Sequence, residues 1–152
     1  MQVIQKSNID LKAFLNQVSS QKLEVGFLEG HKYPADEYGN APLVAEVALW
    51  NEFGTIKSPA RSFMRPTFEN QQENWKKIFN FSLVDSIKNN NPKQVFNNLG
   101  LAVQGDIKKT ISQVTEPALS PITIKKKGSS KPLIDKGILF NGVQYEVSEK
   151  WY

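Results

Sequence analysis

Apolar residues recur along the chain in two rhythms, and their order predicts an α+β fold. Leu11, Phe14, Leu15 and Val18 share one face of a helix over about 9–19, which Asn8 can cap. In Lys22–Leu28, Leu23, Val25 and Phe27 alternate with polar or small residues, the pattern of a strand with one buried side. Residues 29–41, rich in Gly, Pro, Asn and acidic groups, read as an exposed loop. Pro42 suits the first turn of a second helix over about 42–53, with Val44, Val47, Ala48 and Leu49 available to a core. Gly54 ends it, because glycine accepts the left-handed conformation that closes a helix.

A third helix, about 65–88, places Phe68, Trp75, Ile78, Phe79, Leu83 and Ile87 on one stripe. Asn91 caps a fourth helix, about 92–114, with Pro92 as its first residue. Its stripe is Val95, Leu99, Ala102, Val103, Ile107 and Ile111. From Thr115 to Asp135 periodicity is lost among Pro117, Pro121, Gly128 and Pro132, which predicts a mobile basic arm over 115–137. Val143–Val147 alternates again. Either a hairpin spans 138–147, turning at Asn141-Gly142, or a short helical turn leads into a single strand. The expectation is one domain over 1–152: a small antiparallel sheet packed against long helices, with a flexible loop or arm.

Composition narrows the function. The chain has no cysteine, which excludes disulfides, thiolate metal sites and cysteine nucleophiles. It shows neither a membrane-spanning apolar run nor a secretory signal pattern, so a cytoplasmic origin and no membrane partner are expected. Charge is uneven. Residues 1–56 carry 4 Lys/Arg against 7 Asp/Glu, whereas residues 57–136 carry 14 against 6. The basic middle section is either a partner surface or a solvated face.

The segment Val44–Thr55 resembles a recurrent pattern of phage and prophage head–tail joining (neck), tail-completion and virion-morphogenesis proteins. Ser58-Pro59-Ala60-Arg61-Ser62-Phe63-Met64-Arg65-Pro66-Thr67 follows it as in that family. Lys131-Pro132-Leu133-Ile134-Asp135-Lys136-Gly137-Ile138-Leu139 looks like its Pro-Leu-Ile-Asp-Thr-Gly-x-Leu block, with lysine at 136 where threonine is usual. The strands at Val25-Gly26-Phe27 and Val143–Val147 also fall where the family places them. The resemblance implies a structural virion subunit assembled in the bacterial host cytoplasm. It implies a homo-oligomeric ring around the DNA path, portal, connector or tail-tube partners, and no catalytic site or cofactor.

Read as chemistry, Asn51–Thr55 is a helix end in which Phe53 anchors the chain in the core. The loop carrying Arg61, Phe63, Met64, Arg65 and Pro66 has the composition of a protein–protein hot spot, and Leu133 and Ile134 join it as candidate interface residues. The alternative is that Phe63 staples the third helix into its own core. Lys125, Lys126, Lys127 and Lys131 are candidate contacts to DNA or an acidic partner, and a small non-specific DNA-binding protein is the second reading. An enzyme is not expected. Asp135-Lys136-Gly137 shares only two residues with an aspartic-protease motif and lacks a second copy, so it reads as a turn. His31 is the only histidine, and Glu29, His31, Asp36 and Glu37 match no established metal-ligand spacing.

Overall fold

A computed structural model describes residues 9–28, 30–134 and 136–150. Asn8, Glu29 and Asp135 lie outside them. The architecture is α+β, as the alternation of rhythms predicts. Helix α1 (Leu11–Ser19) starts later than expected, with Asp10 capping it by accepting from the Ala13 N–H at 3.1 Å. Strand β1 (Gln21–Gly26) follows directly. Helix α2 (Val44–Phe53) begins two residues after Pro42, and the Glu46 carboxylate accepts from the Leu43 N–H at 2.9 Å.

Helices α3 (Met64–Lys88) and α4 (Lys93–Gln113) form a long hairpin, with Pro92 just ahead of α4. Helix α5 (Pro121–Lys127) and α6 (Ile138–Gly142) lead to strand β2 (Gln144–Glu149), so the helical-turn alternative holds and the 138–147 hairpin does not. The strands pair antiparallel, Leu23 opposite Val147 and Val25 opposite Tyr145, and α4 crosses both. Contact is close: a Cβ on Gly100 of α4 would run into the Tyr145 ring.

Two apolar cores share α4. One gathers Val44, Ala48, Phe63, Ile107, Ile111, Leu133, Leu139 and Val143, while the other joins Phe14, Val18 and Val95. The first draws on all three of the longer motif blocks, which therefore serve as frame. The expected 115–137 arm needs correction. It contains α5, capped by Ser120 with Pro121 at the first turn, and Leu133 is 3% exposed in the core.

Of the expected α3 stripe, Phe79, Leu83 and Ile87 pack on the second core, but Phe68 is 58% exposed, and the fully enclosed residues of α3 are the small polar Thr67, Ser82 and Ser86. Where α3 meets α4, short hydroxyl side chains allow close approach: Thr67 donates to the Phe63 carbonyl, its hydroxyl lies 2.6 Å from that of Thr110, and Asn98 reaches Ser82. The bulkier aromatics are displaced to the flanks of that seam.

Candidate interaction surface

The corner between α2 and α3 is organised by a buried carboxylate. Residues 44, 48 and 52 recur every fourth position, so Glu52 falls on the buried stripe of α2 while its neighbour Phe53 points out, 61% exposed. Phe53 is thus not the core anchor that the sequence suggests. Glu52 accepts the N–H groups of Phe63 and Met64 at 2.9 Å and that of Arg65 at 3.1 Å, the otherwise unpartnered donors at the start of α3. The Arg65 guanidinium adds a bond at 2.9 Å. Burial, the largest single influence, pushes the Glu52 pKa up, but these donors together outweigh it and hold the carboxyl below its ordinary value.

Gly54 makes the corner possible. Its φ is +77°, and a Cβ there would lie 2.8 Å from the Ala60 nitrogen.

The candidate interface residues separate. Phe63 is fully buried, stacking edge-on with Phe27 at 6.0 Å, so the staple reading holds for it. Leu133 is likewise core. Arg61 is 9% exposed, donating through Nε to the Pro117 carbonyl at 2.7 Å and through Nη2 to that of Ala118 at 3.3 Å. It ties the 115–137 segment to the body. Arg65 reaches the surface yet is committed within the chain, to Glu52, to Ser62 and over the Phe53 ring at 4.8 Å. Pro66 and Ile134 are half-buried. Of this set Met64, half-buried, opens onto an apolar hollow with Leu49, Phe53 and Arg65. The hot-spot composition therefore marks a corner folded largely on itself, not a free docking loop.

The lysines also have internal roles. Lys125, Lys126 and Lys127 occupy the last turn of α5, where cations complement the helix dipole. Lys127 donates to the Pro132 carbonyl at 3.0 Å. Lys131 is exposed.

Sequence reasoning missed the surface that does face outward. From Met64, the hollow continues past Phe68 into a groove of about 730 Å³ between α3 and α4, walled by Phe68, Trp75, Phe79, Phe96 and Leu99. Trp75 satisfies its indole N–H on Asp106 at 2.7 Å, and Phe79 tilts against Phe96. Only Phe68 of these is exposed; Phe79 and Phe96 also pack on the second core, and a 3.6-residue period cannot tell which members of a stripe lie at its edge.

Among the described residues no three His, Asp or Glu side chains gather as metal ligands. Asp36 instead accepts from the Tyr38 and Asn40 backbones and the Asn40 amide, a closed loop of its own. Nor is any helix among them long and apolar enough to cross a membrane. Comparison with models of known families, with characterised proteins and with solved structures gives no match.

Proposed function

We propose that the chain is a structural subunit of a long-tailed phage or prophage virion, a ring-forming component of the head–tail junction or tail end with no catalytic role. The observation that carries this reading is the exposed apolar run of Leu49, Phe53 and Phe68, which continues into a groove lined by half-buried Trp75 and Phe79. Large contiguous apolar surface is costly in water and marks a face that another protein covers. The motif blocks support the family reading by converging on one core, the frame that holds this face. Closed rotational symmetry makes the contact head-to-tail, one patch of each copy meeting a different patch of the next.

The test is co-expression with the products of neighbouring genes of portal, connector or tail-tube type, followed by native mass spectrometry and electron microscopy. Rings containing this chain are expected, whereas a chain that stays monomeric beside every such partner refutes the role.

The second reading, non-specific DNA binding, draws on the exposed Lys125, Lys126 and Lys131. It requires duplex binding that weakens steeply with salt and disappears when lysines 125–127 become glutamine; no binding at low salt removes it.

A further inference from the structure

The turn at residues 55–58 is firmly built, yet its most prominent side chain touches nothing. Thr55 donates to the Ser58 carbonyl at 2.8 Å and receives the Ser58 N–H at 3.3 Å. Its hydroxyl also accepts from the Lys57 and Ser58 N–H groups. The corner residue so held is Ile56, at 106% exposure the most solvated of the large apolar side chains described. Tight turns favour Gly, Asn, Asp, Ser and Pro at their corners, so a β-branched hydrophobe there defies local preference. Positions where sequence breaks a local rule without internal compensation concentrate at functional sites.

The same chain carries a matching hollow elsewhere. The α3/α4 groove is mainly apolar, with Gln72, Lys76 and Asn80 also lining it, and its one indole N–H is already satisfied by Asp106, so an aliphatic side chain entering between the rings does not strand that donor. Glu69 lies beside Phe68 at that end of the groove and offers a carboxylate to the ammonium of Lys57, the residue next to Ile56, whereas Glu73 is already paired with Lys76. Within one copy the two surfaces do not meet, since Ile56 is fully exposed.

We infer that the 55–58 turn of one copy seats in the α3/α4 groove of a second copy, Ile56 entering between Phe68, Trp75 and Phe96 while Lys57 faces Glu69. The inference rests on the assembly role proposed above and names its partner and contact. Because knob and hollow are different patches of one chain, the contact repeats head-to-tail and closes into a ring when the rotation allows.

The absence of cysteine makes the test direct. Two single variants, Ile56→Cys and Gln72→Cys at the groove wall, are mixed and oxidised, with Ile56→Cys plus Lys22→Cys on β1 as the control pair. A disulfide needs closely approaching backbones, so the 56/72 pair is expected to give mixed dimers severalfold above the control. A yield no higher than the control overturns the contact, and Asn80→Cys, two turns further along the α3 wall, repeats the trial. Independently, Ile56→Asp is expected to lower self-association at least about tenfold with no change in unfolding midpoint, as for loss of a buried anchor. Unchanged self-association also overturns the contact. Oligomers that form without the 56/72 cross-link reject this contact and leave the assembly role standing. A chain that neither assembles with virion partners nor cross-links rejects both.

Discussion

Two neighbouring regions each invert the usual sorting of residues by polarity. At the α2–α3 corner a carboxylate is buried, with Glu52 only 5% exposed. One turn along α3 the Phe68 ring faces the solvent at the mouth of the groove between α3 and α4. The first inversion is resolved inside the molecule, because four donors from residues 63–65 converge on Glu52. The second is not. Phe68 keeps 58% of its surface exposed, while Trp75 and Phe79 beside it are half-buried and Phe79 packs on the second core. One region holds the fold together, and the other is available to partners.

That division can be broken at several strengths. Glu52→Ala strands the α3 N–H donors, each costing about 1–3 kcal/mol when buried and unpaired, and should cost roughly 3–5 kcal/mol in denaturant unfolding. A loss under about 1 kcal/mol would mean the corner is held otherwise. Phe63→Ala, by opening a cavity in the larger core, should cost about 3–5 kcal/mol. Gly54→Ala forces a side chain into positive φ and against Ala60, for about 1–3 kcal/mol by the same measurement.

The pH dependence follows from the depressed Glu52 pKa. Its stabilisation is complete above the unfolded-state value near 4.5 and is lost as pH falls through the lower folded value. Glu52→Gln should therefore flatten the acid side of the stability–pH profile. Smallest in the monomer is Phe68→Ser, expected within about 0.5 kcal/mol of the parent because the ring is exposed, yet it should impair assembly in native mass spectrometry. A large monomer destabilisation would move Phe68 from the partner face to the frame.

Much of the frame was legible in the sequence. The lengths of α3 and α4, the Gly54 terminus and the antiparallel pairing of the two end strands follow from periodicity and turn chemistry. What periodicity could not supply was orientation. Leu49, Phe53 and Phe68 were assigned inward by hydrophobicity, but the helix seams are filled by Ala48, Thr67, Ser82 and Ser86, whose small size permits close packing. Glu52 escaped notice because a carboxylate on a buried stripe makes sense only once α3 starts beside it. The 115–137 segment misled for a related reason. Its anchors, the Arg61 side chain and Leu133, act across long sequence separations that no local pattern records.

The most direct test is hydroxyl-radical footprinting of Trp75 and Phe68 in the free chain and after co-assembly with the proposed portal, connector or tail-tube partners. Both side chains should be oxidised in the free chain and protected severalfold on assembly, while core Phe63 stays unlabelled in either state. Equal labelling of Trp75 and Phe68 in the free and assembled states would contradict the claim that this face exists to be covered.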